Sequence, residues 1–166
     1  MSKTAILNNK QIEQKINRLA HQVLENNYEE SEIIIAGIAS RGYVLAKRIA
    51  KILQEISSIK VQVAELKVHK EGPIKRKATF PLADNELDGK VIFVVDDVVN
   101  SGRTLIYAVR HFLSAPVKKL RTLVLVDRSH NNYPVRADYV GISLATTLQE
   151  HVSVEFSKGE DVVYLQ

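Results

Sequence analysis

A chain of 166 residues with 45% hydrophobic and 25% charged residues has the size and make-up of one ordinary globular domain. Fibrous and disordered classes are thereby excluded, and the absence of Cys removes disulfide frameworks and thiolate metal sites. The formal net charge of +4 suits an anionic ligand or a nucleic acid and by itself selects neither. No apolar run is long enough to cross a bilayer, and the start, "MSKTAILNNKQIEQKINRLAHQV", has no apolar signal segment, so a cytoplasmic setting is expected.

Asn8 or Asn9 can cap a first helix, in which Ile12, Ile16, Leu19, Ala20, Val23 and Leu24 share one face. A buried strand follows from about Glu32 to Ile38. A second helix is predicted after Arg41-Gly42, with Leu45, Ile49, Ile52, Leu53 and Ile56 inward. "VQVAELKV" (61–68) is Val-rich and partly alternating, which predicts a strand. "HKEGPIKRKATFP" (69–81), with Gly, two Pro and several cations, reads as a loop. "VIFVV" (91–95) and "LVLV" (123–126) are fully apolar strands. The helix between them turns Leu105, Ala108, Val109, Phe112 and Leu113 inward. Beyond Asp127 comes a polar loop, then short strands near 138–142, 152–156 and 162–165. Neither repeats nor an interdomain linker are visible, so residues 1–166 are expected to form a single domain.

Strands apolar on both faces, separated by amphipathic helices, imply an α/β fold whose central, mainly parallel sheet has helices on both faces. Ligands of such folds gather at the carboxyl ends of the strands. Three polar stretches fall there: 39–42, 96–104 and 127–136.

The most informative of these is "VIFVVDDVVNSGRTL" (91–105), an apolar strand driven into two aspartates and followed by a polar turn at a helix start. The first amides of a helix lack internal partners, and its dipole favours an anion. Gly102 permits close approach, and Ser101 and Thr104 add hydroxyls, so residues 100–104 can cradle a phosphate or can be an ordinary capped helix. Adjacent acids can bind a metal or accept hydrogen bonds from a diol. A Walker B reading fails because the chain has no G-x-x-x-x-G-K-[ST]. The five His residues lack metal-ligand spacing, and no Ser sits in a G-x-S-x-G elbow. Tyr133 and Tyr139 read as packing residues.

Taken whole, the string Asp-Asp, two apolar residues, one variable, Ser-Gly-x-Thr resembles the 5-phosphoribosyl 1-pyrophosphate (PRPP) signature of the type I phosphoribosyltransferases. "GIASRGYVLAKRIA" (37–50) is similar to that family's pyrophosphate loop, with Ser40, Arg41 and Gly42 at its tip, a loop that often carries a non-proline cis peptide. The cationic segment 66–80, with Lys67, Lys70, Lys75, Arg76 and Lys77, resembles the loop that closes over PRPP. "LVDRSHNNYPVRADYVG" (125–141), "TAILNNKQIEQKINRLAHQVLENN" (4–27) and the closing "VSVEFSKGEDVVYLQ" narrow the resemblance to one branch. That branch is the bifunctional pyrimidine-operon attenuators that are also uracil phosphoribosyltransferases.

The resemblance implies a small hood built from the N- and C-terminal segments beside the sheet. It implies transfer of ribose 5-phosphate from PRPP to a nucleobase, with Mg²⁺ as cofactor and pyrophosphate leaving. Asp96 and Asp97 would hold the ribose hydroxyls and the metal, Asn100, Ser101, Gly102, Arg103 and Thr104 the 5′-phosphate, and Ser40, Arg41 and Gly42 the pyrophosphate. Related purine enzymes carry Asp where Asn100 stands, and a neutral amide cannot accept a proton there; Asn100 therefore argues against hypoxanthine or guanine without proving uracil, to which the branch points. By the same resemblance Arg136 and the backbone at Val152 and Val154 would meet the base, although Arg136 reads equally as a surface or RNA-facing cation. The alternative is an RNA-binding attenuation regulator with weak or no catalysis. His21, His130 and Arg136 match the branch's RNA contacts, whereas Asn17, Asn26 and Ile142 replace its Thr, Arg and Lys, which weakens phosphate contact. A homodimer is the expected assembly.

Overall fold

A computed structural model of the chain describes residues 2–69 and 76–166. Lys70 and Lys75, two of the loop cations singled out above, lie outside the described residues. The elements in chain order are β1 (Thr4–Leu7), α1 (Asn9–Glu25), β2 (Glu32–Ile38), α2 (Arg41–Ile56), β3 (Lys60–Leu66) and α3 (Asp84–Leu87). They continue with β4 (Val91–Val99), α4 (Arg103–Phe112), β5 (Lys119–Asp127), β6 (Tyr139–Ser143), β7 (Val152–Glu155) and β8 (Val162–Leu165).

Five strands form a parallel sheet in the order β3-β2-β4-β5-β6. The alternation of side chains along β4 explains why its sequence is apolar throughout. Val91, Phe93 and Val95 pack into a core with α1 and α2, while Ile92 and Val94 enter a second core with α3 and α4. Helices therefore cover both faces, as the sequence implied. The termini build a separate antiparallel sheet, β1-β8-β7, whose Leu7, Val152, Val154 and Val163 join the first core. This is the expected hood.

Asn8 is the cap of α1: its Oδ1 accepts from the Gln11 amide at 3.0 Å, and Gln11 Oε1 accepts from the Asn8 amide at 2.9 Å. The hood is pinned to α2 by Arg48, which pairs with the carboxylate of Asp161. Asp161 is itself buried, and its Oδ1 also accepts from the Ser157 amide at 3.0 Å.

Three sequence expectations shift. β4 does not stop at Val95 but runs through both aspartates to Val99, because Val98 and Val99 stay in register with Val126 and Asp127 of β5. Leu113 is not inward: it caps the C-terminus of α4 and is 67% exposed. The short elements β1 and α3 were not anticipated as elements. No helix among the described residues is long and apolar enough to cross a membrane.

Candidate active site

The carboxyl ends of β2, β4 and β5 meet at one cleft of about 250 Å³, lined by Arg41, Asp96 to Leu105, Arg128, His151 and Val152. It lies where the sheet rule places a ligand site.

Because β4 continues past them, Asp96 and Asp97 are strand residues and nearly buried, 7% and 8% exposed. Asp96 Oδ1 accepts from the Asp97 amide at 2.9 Å, and Asp97 Oδ2 meets Arg41 Nε at 3.0 Å. A buried carboxylate needs such partners to stay ionised. Arg41 also donates from Nη1 to the Val154 carbonyl at 3.2 Å, so one guanidinium joins the sheet to the hood.

Arg41 opens α2, whose start is drawn against β4 by Gly42. A Cβ at Gly42 would lie 2.6 Å from the Val95 carbonyl oxygen and 3.0 Å from Asp96 Cα, so no larger residue fits. The Ala39–Ser40 peptide bond that precedes this helix is cis.

The turn after β4 is held from behind. The Ser101 carbonyl accepts from the amides of Asn132 at 2.8 Å and Tyr133 at 3.2 Å. Gly102 sits at φ 83°, in the left-handed region, and a Cβ there would come within 2.8 Å of Val135 Cγ1. No side chain caps the start of α4, and Ser101 Oγ makes only a 3.3 Å contact with the Arg103 amide. The first amides of α4 thus face the cleft, an arrangement that attracts an anion.

Arg128 is the residue that the sequence reading missed. It is 5% exposed, yet it lines the cleft. Its Nη1 donates to Asn100 Oδ1 at 2.8 Å, its Nε to Thr146 Oγ1 at 3.1 Å, and its Nη2 to the carbonyls of Thr147 and Glu150. The turn that aims it is local: Asp127 Oδ1 accepts from the Ser129 amide at 2.7 Å, and Ser129 takes φ 57°. Arg136, the cation favoured from sequence, does not line the cleft. It is exposed, and its carbonyl is bound to Thr122 Oγ1 at 2.9 Å, within β5 rather than at its carboxyl end. The signal for Arg128 was its place directly after the last residue of β5.

Of the other expected site residues, Asn100, Ser101, Gly102, Arg103, Thr104 and Val152 line the cleft together. Ser40, Gly42 and Val154 do not; Ser40 and Gly42 shape the α2 start, and Val154 is a core residue whose carbonyl holds Arg41. Lys67 pairs its backbone with Thr79, bringing together the two ends of segment 66–80.

An acidic pair beside an uncapped helix start, under a buried guanidinium, is an arrangement able to hold hydroxyls and an anion side by side. The Phosphoribosyl transferase domain family matches residues 2–157, and the chain belongs to it: it is a phosphoribosyltransferase. Among its relatives, "Bifunctional protein PyrR" of Clostridium kluyveri is 34% identical over 163 residues, covering 94% of this chain and 92% of that protein. The protein of the same name from Streptomyces coelicolor is 33% identical, covering 96% and 88%. Of solved structures, the hypoxanthine phosphoribosyltransferase of Trypanosoma cruzi shares the fold with a TM-score of 0.76 at 16% identity, covering 96% of this chain and 95% of that one. A hypoxanthine-guanine phosphoribosyltransferase from Bacillus anthracis gives a TM-score of 0.70 at 23% identity, covering 86% and 83%.

Proposed function

We propose that the chain transfers ribose 5-phosphate from PRPP to uracil, giving UMP and pyrophosphate. The observation that carries this reading is the pairing of Asp96-Asp97 with the uncapped turn 100–104 in one cleft. A ribose phosphate is short enough to span both.

In the reaction the C1–O bond to pyrophosphate breaks and its electron pair leaves with the pyrophosphate. A C1–N bond to the base forms, and the base nitrogen gives up its proton. The sugar passes through an oxocarbenium-like state, so the protein's work is positioning and charge stabilisation. Asp96 and Asp97 hold the ribose hydroxyls. The amides and hydroxyls of Ser101, Gly102, Arg103 and Thr104 hold the 5′-phosphate. Arg41 exchanges Asp97 for the departing pyrophosphate.

The two carboxylates also suit Mg²⁺, a hard cation that is content with one or two carboxylates and fills its shell from water and phosphate oxygens. When bound, Mg²⁺ would neutralise the pyrophosphate charge.

The base lies against Asn100, Arg128 and Val152. Arg128 holds Asn100 Oδ1, so the Asn100 amide group is left to face the base as a donor, toward a carbonyl of a pyrimidine. The chain works as one domain, 1–166, and as a homodimer.

RNA binding is the second reading. It is favoured by the exposed side chain of Arg136, which stands off the cleft and is free for a separate partner, and it matches the word bifunctional in the relatives' name.

The test is pyrophosphate release from PRPP and Mg²⁺ with uracil, hypoxanthine, guanine, orotate and adenine, beside the Asp96→Asn/Asp97→Asn variant. Release with uracil alone, lost in the variant, is expected. Silence across the panel with folded protein would leave salt-dependent binding to a pyrimidine-operon leader RNA as the remaining reading.

A further inference from the structure

A charged recess outside the cleft lies at the other end of α4. It has a volume of about 390 Å³, and its walls include Arg76, Lys77, Asp84, Tyr107, Arg110 and His111. It shares no lining residue with the cleft. From Gly102 to Arg110 is eight residues of helix, so the two sites are separated by about 12 Å along its axis.

Arg110 and His111 alone would be unremarkable, since cations belong in the last turn of a helix. What sets the recess apart is convergence from a second segment. Arg76 and Lys77 come from the returning end of loop 66–80 and face the same space as Arg110. Among the described residues none of the three makes an ion pair. Among the described residues the single acid on the walls, Asp84, already accepts from Ser114 Oγ at 3.2 Å. Three cations against one carboxylate leave an excess of two positive charges in a concave space, where field lines concentrate.

The floor adds a polar atom in need of a partner. The His111 ring is packed edge-on against Phe80 and Phe112, and among the described residues its buried Nε2 has no hydrogen-bond partner. Burial pushes this imidazole below its ordinary range, against a smaller pull upward from Asp84, so the ring does not add to the charge at neutral pH. The Tyr107 ring, with the Arg110 guanidinium 6.0 Å from its centre, supplies a flat wall.

We propose that this recess binds a small phosphate-bearing anion at a site separate from the catalytic cleft, with Arg76, Lys77 and Arg110 as its cationic contacts. The volume is that of a small-molecule pocket, and the excess charge matches a dianion. Arg110 is exposed and lies on no catalytic element end, so its replacement leaves the cleft intact.

The experiment follows the His111 ring protons by NMR in the wild-type protein, assigned by loss of the signal in His111→Gln. Inorganic phosphate is titrated in one arm and adenosine 5′-monophosphate in the other, which separates a bare phosphate ligand from a nucleotide. Both are repeated in Arg110→Glu, with Lys77→Glu as a second charge reversal, and in Ser101→Asp, which repels phosphate from the cleft. The expected result is a saturable His111 shift in at least one arm, retained in Ser101→Asp and weakened about tenfold or more in Arg110→Glu or Lys77→Glu. Phosphoribosyl transfer by Arg110→Glu stays at the parent rate. No saturable shift in either arm up to about 10 mM overturns the proposal, that being weaker than a useful site. So does a shift that disappears in Ser101→Asp, or one that survives both charge reversals.

Discussion

Replacing Arg128 by Lys keeps the charge and removes the fork, which isolates what the guanidinium geometry contributes. Arg128 reaches four acceptors on two sides: Asn100 Oδ1 and the carbonyl of Glu150 from its terminal nitrogens, Thr147 beside the latter, and Thr146 Oγ1 from Nε. An ammonium is one nitrogen at the end of a chain and can serve one side only, so at least two of these bonds are lost. A hydrogen bond from a charged donor contributes about 1.5–3 kcal/mol net. With the side chain 5% exposed, water cannot replace the missing donors fully. The expected loss is about 3 kcal/mol in urea unfolding, with an unchanged slope. A cycle with Asn100→Ala should give a coupling of about 1–3 kcal/mol, since the two side chains touch. Steady-state kinetics should show kcat/KM for the base falling by about a hundredfold while the KM for PRPP holds, because only the base-facing wall has shifted. A variant that loses less than about 1 kcal/mol and keeps base kcat/KM within about threefold of the parent would refute the reasoning.

Gly102→Ala places a Cβ at φ 83° and against Val135; urea unfolding should show a loss of about 2 kcal/mol, and the KM for PRPP should rise. Asp161→Ala leaves Arg48 without its carboxylate and strips the Ser157 amide of its acceptor. Thermal melts should show a loss of about 3 kcal/mol, the low end for a buried pair because Arg48 is partly solvated. Glu32 is held below the usual carboxylate range of 4.5, first by its hydrogen bond from Lys90 and then by the charges of Lys90 and Lys60. Its folded pKa is depressed, so its stabilisation is full above 4.5 and is lost as pH falls through the folded value. Stability against pH should therefore have a shallower acid limb in Glu32→Gln, with the two proteins converging below that window; identical limbs would show that the Lys90 contact carries no linkage.

The parallel sheet was legible because burial on both faces forces continuous apolar runs, as in 33–38, 91–95 and 123–126. The acidic pair and the turn 100–104 were legible as neighbours because their spacing is local to one strand and one turn. Two things were hidden for one physical reason, namely that they depend on distant pairing. β1 is four residues whose partner, β8, lies at the other end of the chain. Arg128 and Arg136 are both cations in one polar loop, and only the path of that loop decides which enters the cleft. The left-handed Ser129 and its bond to Asp127 send Arg128 inward and leave Arg136 at the flank of β5. Leu113 was misread because helical periodicity was carried one residue beyond the last helical residue.

Three arginines tie the sheet side of the molecule to the segments that roof the cleft, and their burial separates their roles. Arg48 and Asp161 fasten the hood to α2. Arg128 fastens the segment 146–150 to Asn100. Arg41 fastens the Val154 carbonyl to Asp97, but half of its side chain is exposed. A pair whose cation is half solvated is worth about 1 kcal/mol or less, so an arriving anion can take Arg41 from Asp97 at little cost. The same exchange at Arg128 would strip four acceptors at once. In the proposed reaction Arg41 is therefore the cation suited to follow the leaving group, and Arg128 the one suited to hold a fixed wall against the base. In the proposed reaction that division also accounts for Asp97 being nearly buried yet available: Arg41 keeps its carboxylate partnered and would release it to a ribose whose pyrophosphate occupies the guanidinium.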